Sequence, residues 1–325
     1  MKNINSERYK DLNKKITSCN LNQYIDLVSL LQTSYSKEEL ANIYLYILET
    51  SNNINILNYT IAQIDKLKEF RAIDLLIDIL LLKDKFAKYE NGTNELNNLR
   101  CSCAKVISNF KSQKGVYPLL YCLNNKDEDY KLRLSCAEAL GKIGDKYAVL
   151  PLIDILKDEN EKSVYVKESA AIALGMLGDN RALNPLISIL ESKNGLVSKF
   201  SFLKERIIEV LSKFGSNNTD VFKALSINLS DESPFVRISA IEALANCDND
   251  NKEKTFGLIK NCLLKEDNEE VIEACLFALF NLSNVETLYE IINQNQDNIK
   301  IKLVLDDILP DLKDDVCEGF DNENK

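Results

Sequence analysis

Apolar residues recur every three or four positions through most of this chain, with polar residues between them. In the stretch 137–143 the apolar residues are three apart on one helical face, and the stretch 150–156 repeats that spacing. This period is helical rather than alternating, and it predicts two amphipathic helices within the segment. We therefore expect an all-α fold.

A long internal repeat shows how these helices are organised. The stretch AEALGKIGDKYAVLPLIDILKDE at 137–159 recurs as AAIALGMLGDNRALNPLISILES at 170–192. Gly144 and Asp145 recur 34 residues later as Gly178 and Asp179. A period in the low thirties predicts stacked helical hairpins. Each unit has a first helix, helix A, and a second helix, helix B.

Repeated residues mark the ends of these helices. Gly144 and Gly178 follow apolar runs, where a residue without Cβ readily takes the left-handed conformation that ends helix B. Asp145 and Asp179 come next and are suited to accept hydrogen bonds from the free N–H groups that open helix A. Prolines follow in the first turn of helix A, where a missing N–H breaks no hydrogen bond. These prolines are Pro118, Pro151 and Pro185.

The pattern GD-x-x-A-x-x-P-L-I-x-x-L-x-D, followed by V-[KR]-x-x-A-A-x-A-L-G-x-L-G-D, resembles the short bacterial HEAT repeat of the type also found in phycobiliprotein lyases. It is clearest in residues 114–190. The resemblance implies a right-handed α-solenoid of stacked antiparallel helix pairs, with the B helices on the concave surface and the A helices on the convex one. It is specific for fold and weak for function.

We expect three segments along the chain. Residues 1–66 are predicted to form a divergent helical N-terminal cap, and residues 67–283 about six HEAT-like helix pairs. Residues 284–325 are predicted to form a last helix pair and an acidic flexible tail. We also expect a monomer.

The composition restricts the chemistry. The 325 residues include no histidine and no tryptophan, which excludes Ser-His-Asp and Cys-His nucleophile pairs and histidine zinc motifs. The nine cysteines include no C-x-x-C. Cys136 and Cys275 share the small buried column that also holds Ala170 and Ala240, so we interpret these thiols as core residues. We expect no enzyme activity, no cofactor and no metal.

Charge and hydropathy indicate the class of partner and the location. Residues 201–325 hold 25 acidic and 13 basic residues, a net charge of −12, within a chain whose net charge is −10. This distribution disfavours nucleic acid and suits a basic protein partner. No stretch reaches the ~18 apolar residues of a membrane span. The polar start MKNINSERYKDLNKK lacks the apolar core of a signal peptide, so we expect a cytoplasmic protein.

One column of the aligned repeats holds a basic residue near the start of helix B. Its members are Arg133, Lys167, Lys204 and Arg237. The resemblance implies that this cation reaches an aspartate in the turn between helices A and B. The candidate aspartates are Asp127, Asp158 and Asp231. We interpret the column as a structural ladder between neighbouring repeats, and a nucleic-acid-binding stripe is the alternative.

A second column lies two residues earlier and includes three aromatic residues. Its members are Lys131, Tyr165, Phe202 and Phe235. Aromatic residues are favoured at binding hot spots, although packing between repeats would also explain them. Helix geometry places further residues beside them on the exposed side of helix B. The predicted groove, acidic with apolar points, comprises Tyr130, Lys131, Glu138, Tyr165, Glu168, Ile172, Met176, Phe202, Glu205, Arg206, Glu209, Phe235 and Glu242.

Three functional hypotheses follow. The leading one is a non-catalytic scaffold or adaptor that holds a protein or peptide of basic character in the concave groove. A bilin or cofactor lyase-like assembly factor is an alternative that the resemblance permits. A HEAT-like DNA-binding protein or glycosylase is disfavoured by the acidic charge and the lack of tryptophan. Di-iron hydroxylases built from similar repeats need histidine ligands, so the composition excludes them.

Overall fold

The computed structural model describes residues 14–16, 18–83, 93–192, 199–215, 218–246, 251–283 and 299–305. These residues form α-helices and single turns of 3₁₀ helix, and no strand occurs among them. The predicted all-α architecture is confirmed. Within the described residues, no helix is both long enough and apolar enough to cross a membrane. The chain divides into two compact units, residues 1–177 and 178–325.

The first unit is a stack of helix pairs. Its helices are α1 (Leu21–Ser34), α2 (Lys37–Thr50), α3 (Ile54–Leu67), α4 (Ile73–Leu80), α5 (Asn94–Asn109), α6 (Val116–Asn124), α7 (Tyr130–Ile143), α8 (Val149–Lys157) and α9 (Val164–Leu177). Helices α4/α5, α6/α7 and α8/α9 pack as hairpins, each consisting of a helix A and a helix B. The B helices pack against one another in the order α3, α5, α7, α9, so each hairpin covers the apolar side of the next.

The second unit repeats this arrangement. Its helices are α10 (Leu183–Glu191), α11 (Ser201–Ser212), α12 (Thr219–Asn228), α13 (Pro234–Ala245), α14 (Lys252–Leu263) and α15 (Glu269–Leu282). The hairpins are α10/α11, α12/α13 and α14/α15, and the B helices α11, α13 and α15 pack in that order. The core of each unit therefore runs along the stack between the A and B helices.

The glycines and the aspartate that were predicted to mark the helix ends act at or near the predicted positions. Gly144 has a φ of 82° and Gly178 a φ of 58°, the left-handed conformation that ends a helix. The side chain of Asp145 accepts a hydrogen bond from the N–H of Tyr147 at 2.9 Å. This bond caps a 3₁₀ turn, Lys146–Ala148, that precedes α8. The aspartate therefore starts helix A through an additional tight turn rather than directly.

Small residues let neighbouring B helices approach closely. An added Cβ on Gly141 of α7 would lie 2.8 Å from the Cα of Ala173 on α9 and 3.1 Å from the Sδ of Met176. The first distance is well inside the normal separation of non-bonded carbon atoms. Glycine is therefore required at position 141, even though glycine in a helix interior is less stable than alanine.

The segment boundaries expected from the sequence remain predictions. Helices α1 to α3 lie in and just beyond the predicted N-terminal cap, residues 1–66. Most of the predicted C-terminal helix pair and the whole acidic tail beyond residue 305 lie outside the described residues. The division between the two compact units falls between residues 177 and 178, inside the predicted repeat array.

We predict that Gly141→Ala destabilises the protein by about 1–3 kcal/mol, because the new methyl group overpacks the crossing with Ala173. The matched control is Gly257→Ala in the interior of α14, where an added Cβ meets nothing within 4 Å. That control should stabilise the protein by up to about 1 kcal/mol through helix propensity. Urea unfolding followed by circular dichroism measures both changes, and equal signs would contradict the packing explanation.

Candidate functional site

A buried arginine connects two successive repeats in the first unit. Arg133, near the start of α7, is only 3% exposed. Its Nε donates to the carbonyl oxygen of Leu123 at 2.8 Å, in helix A of the same repeat. Its two Nη atoms donate to the carboxylate of Glu161, in the turn before α9. One guanidinium therefore joins its own hairpin to the next one.

Two other arginines make similar bridges. Arg100 on α5 donates from Nε to the Leu80 carbonyl oxygen at 2.8 Å and from both Nη atoms to Glu128 at 2.6 Å. In the second unit, Arg237 donates from Nε and Nη2 to the two carboxylate oxygens of Glu266, each at 2.8 Å. In each case the carboxylate belongs to the following turn between helices A and B. Such two-pronged contacts fix geometry as well as charge.

The lysines of the same column behave differently. Lys167 is buried and donates from Nζ to the Leu156 carbonyl oxygen at 2.6 Å. Burial lowers the pKa of Lys167, and nearby carboxylates led by Asp158 oppose that shift. Lys204 forms a 2.6 Å ion pair with Asp231 in the next turn. A lysine has one nitrogen and makes one such contact, whereas an arginine spans two.

Among the three candidate aspartates, Asp231 pairs with a cation of the ladder, Lys204. Arg133 contacts Glu161, and Lys167 contacts a backbone carbonyl. Asp158 instead pairs with Lys126 at 2.5 Å. The ladder arginines and Lys204 each contact a carboxylate in the turn of the following repeat.

Arg100, Glu128, Glu161 and Glu266 were missed in the sequence. Arg100 follows Leu99 in the same column position as Arg133 follows Leu132, so an alignment extended by one more repeat would have found it. The resemblance implied aspartate partners, whereas the partners of the three arginines are glutamates.

The charges of the ladder are mutually stabilised. Burial alone would raise the pKa of Glu161, but the hydrogen bonds from Arg133 and from the Ser163 N–H lower that pKa below its ordinary value. Burial likewise opposes ionisation of Arg100, whereas the hydrogen bond to Glu128 raises the pKa of Arg100 above its ordinary value. These groups are ionised at neutral pH and serve as structural connections.

The exposed face of the B helices, here called the B-helix face, carries the predicted groove residues. In the first unit, Tyr130 on α7 and Tyr165 on α9 have ring centroids 6.5 Å apart. Tyr165 is 54% exposed and Met176, three turns further along α9, is 52% exposed. The remaining first-unit members are exposed Lys131 and half-buried Glu138, Glu168 and Ile172. The fold therefore brings two aromatic rings together at one end of this face.

In the second unit, the B-helix face carries one exposed ring and a carboxylate that is paired with cations. Phe235 is 56% exposed at the start of α13, whereas Phe202 is half-buried with its ring centroid 5.8 Å from that of Phe200. Glu209 forms ion pairs with Arg206 and Lys213 on its own helix. The remaining predicted members are half-buried Glu205 and exposed Glu242.

Burial would raise the pKa of Glu209, but the hydrogen bond from Lys213 and the charge of Arg206 hold it below its ordinary value. Glu209 is therefore a compensated charge.

Sequence reasoning missed an aromatic cluster on the A helices of the first unit. Tyr117, Tyr121 and Tyr147 are each 64–67% exposed, and Leu150 beside them is also exposed. The rings of Tyr117 and Tyr147 lie 5.4 Å apart. Tyr117 and Tyr121 are four residues apart and share one side of α6. That spacing was the available signal for the cluster.

Comparisons with known proteins identify the repeat but no specific function. The family model described as HEAT repeats matches residues 93–164 and 116–200. No curated protein matches the chain.

Solved structures give only low overall similarity. Human deoxyhypusine hydroxylase in complex with glycerol is 16% identical with a TM-score of 0.35, covering 85% of this chain and 98% of that one. The complex of CpcE and CpcF of phycocyanin lyase from Nostoc sp. PCC7120 is 20% identical with a TM-score of 0.44, covering 80% and 94%. A computationally designed self-assembling cyclic homooligomer is 14% identical with a TM-score of 0.14, covering 92% and 98%. At these TM-scores the similarities carry no argument about function.

We predict that Glu161→Gln destabilises the protein by about 3 kcal/mol, because it leaves the buried Arg133 guanidinium without its countercharge. The matched control is Asp74→Asn, which removes the exposed ion pair with Lys114. That control should cost less than about 1 kcal/mol. Urea unfolding at neutral pH gives both values, and similar costs for the two variants would show that Arg133 does not depend on Glu161.

We also predict that the difference in stability between the wild type and Glu161→Gln shrinks in acid. The pKa of Glu161 is lowered by folding, so its contribution is complete above the unfolded glutamate pKa of about 4.3 and is lost as the pH falls through the folded pKa. Urea unfolding of both proteins between about pH 7 and pH 3 tests this. A difference that stays constant over that range would contradict the assignment.

Proposed function

Because this chain is a HEAT-repeat protein over residues 93–200, we propose that it is a non-catalytic scaffold that binds a protein or peptide partner of basic character on its B-helix face. The observation that carries the proposal is the exposed pair of rings, Tyr130 and Tyr165, on the neighbouring helices α7 and α9. Repeat arrays use such side-by-side helices as extended binding surfaces.

The apolar part of this face supports a protein partner. Tyr130, Tyr165 and Met176 expose large side chains on adjacent B helices although the core beneath them is closely packed. Tyrosine brings a large contact area at low entropic cost, and methionine adapts to irregular partner surfaces. These three side chains are therefore suited to serve as anchors that a partner would cover.

The carboxylates of this face support a basic partner. Glu138 and Glu168 lie half-buried on the same two helices as the rings. In the second unit, Arg206 and Lys213 are both paired with Glu209, which leaves Glu205 and Glu242 as the acidic members of its B-helix face. In the proposal these carboxylates attract a positively charged partner and disfavour nucleic acid.

The composition supports binding rather than catalysis. The chain contains no histidine, the side chain that most often transfers protons in enzymes at neutral pH. The buried charges of Arg133 and Glu161 are satisfied by each other. Their role in the proposal is to hold the B helices in register so that the rings on neighbouring helices stay together.

We predict that a double variant of the B-helix face of the first unit, Tyr130→Ala with Tyr165→Ala, loses about tenfold or more in affinity for the partner. The full-length wild type is used to capture proteins from its own cells, and the Kd of each captured protein is then measured with purified components. Binding should weaken as salt is raised, because charge steering is screened.

The matched control, here called the A-helix variant, is Tyr117→Ala with Tyr147→Ala, which removes a neighbouring pair of exposed rings from α6 and from the 3₁₀ turn before α8. This variant should bind as tightly as the wild type. Circular dichroism checks that both variants remain folded. If the A-helix variant loses binding and the B-helix variant does not, the proposed face is wrong.

A further inference from the structure

A cleft lies between two neighbouring B helices of the first unit. Helix α3 forms one side and α5 the other, and Leu21 at the start of α1 adds to the lining. We call it the α3/α5 cleft. Its volume is about 390 Å³, which is within the roughly 300–1,000 Å³ of typical ligand sites. The predicted groove residues lie on other B helices, so this cleft is a separate candidate site.

The deepest part of the α3/α5 cleft is apolar. Ile61 of α3 is 1% exposed and Val106 of α5 is 4% exposed, and both line the cleft. The Tyr59 ring, whose centroid lies 5.8 Å from that of Tyr24, also lines it. Covering apolar surface of this kind is favourable in proportion to the area covered. The cleft is therefore suited to an apolar group of a ligand.

Lys105 brings a positive charge to the α3/α5 cleft. Its side chain is exposed and forms no ion pair within the described part of the chain. When Arg100 is aligned with Arg133, Lys105 takes the position of Glu138. The column that is acidic in α7 therefore holds a cation in α5. A free ammonium next to apolar surface favours a ligand that carries a negative charge.

The other polar groups of the cleft favour a small charge on that ligand. Asp65 also lines the cleft, and its two oxygens accept hydrogen bonds from Lys68 Nζ and from Asn109 Nδ2, each at 2.9 Å. A phosphate carries more charge than one lysine compensates, and it would lie beside this carboxylate. Asn55 and Asn58 line the α3 side, and a carboxamide both donates and accepts hydrogen bonds, as a peptide group does. These groups together fit a single carboxylate next to a peptide group.

We propose that the α3/α5 cleft binds the C-terminal residue of the partner. Its apolar side chain lies against Ile61 and Val106, and its carboxylate accepts hydrogen bonds from the Lys105 ammonium. Asn55 and Asn58 hydrogen-bond the last peptide group. This inference rests on the proposed function, because it assigns one end of the partner that the B-helix face binds.

The position of the cleft supports a continuous binding path. Arg100, in the first half of α5, bonds to Glu128 in the turn before α7, so these two helices start at the same edge of the stack. Helix α7, which carries Tyr130, is the next B helix after α5. Neighbouring helix axes are about 8–10 Å apart, and about three extended residues span that distance. A chain that ends in the cleft therefore reaches the ring pair within a few residues.

The experiment titrates the full-length chain with N-acetyl-Ala-Leu that carries a free C-terminal carboxylate, and with the same dipeptide as its C-terminal amide. Ligand-observed NMR gives the Kd of each. We expect the free acid to bind at least about fivefold tighter, because the amide lacks the charge-assisted hydrogen bond to Lys105. Lys105→Gln should remove this preference. The matched control is Lys131→Gln, which changes an exposed lysine of α7 that does not line the cleft, and it should keep the preference.

Three results would overturn the proposal. The first is a wild type that binds acid and amide equally, or binds neither with a Kd below about 10 mM. The second is a preference for the acid that survives Lys105→Gln. The third is isocaproate, an apolar carboxylate without a peptide group, binding as tightly as the dipeptide acid, which would assign the cleft to a free carboxylic acid. Lys105→Gln changes an exposed side chain, and circular dichroism checks that the variant is folded.

The proposed function is tested separately. The dipeptide is too short to reach α7 from the cleft, so Tyr130→Ala with Tyr165→Ala should bind it as the wild type does. The same variant should lose affinity for the captured partner. Equal binding of acid and amide, together with partner binding that depends on the rings, would overturn the cleft alone. A preference for the acid, together with partner binding that does not depend on the rings, would overturn the ring pair alone.

Discussion

Within the two compact units, three junctions between successive hairpins are each bridged by an arginine of helix B, and the buried guanidinium of Arg133 specifies how two of these hairpins fit together. A buried charge is unfavourable unless it is fully paired. Arg133 obtains one partner from its own repeat, the Leu123 carbonyl, and the other from the following repeat, Glu161. Neither hairpin satisfies the charge alone. Apolar burial supplies most of the driving force but has no direction, so the ion pair helps to set the register of the stack.

Apolar burial and the ion pairs both act on the packed side of the B helices, so the residues of the B-helix face are free to vary. The packed side of the B helices is restricted by close contacts such as that of Gly141 with Ala173, and by ion pairs such as that of Arg133 with Glu161. The B-helix face has neither restriction, and one of its columns holds Lys131 in one repeat and Tyr165 in the next. Both are exposed without disturbing the stack. A surface of this kind can acquire specificity for a partner while the fold remains constant.

The sequence predicted local features better than distant ones. Gly144 and Asp145 act within a few residues of themselves, so their roles as helix stop and turn cap follow from backbone chemistry. The partner of Arg133 lies 28 residues away, and the turns offer several carboxylates in succession. Only the three-dimensional path of the chain selects Glu161. The exposure of Tyr147 was equally hard to predict, because helical periodicity indicates the direction of a side chain but not whether another element covers it.

The cysteines of the core show how a repeat varies a buried position without altering its packing. The column of helix B that holds Cys136 holds Ala170 in the next repeat, and the helix A position of Cys122 holds Ile155. All four side chains are buried and apolar in character. A thiol therefore packs at these positions as an aliphatic side chain does. The core of the repeat consequently restricts the polarity of its side chains more strictly than their identity, and the stack stays the same while the residues change.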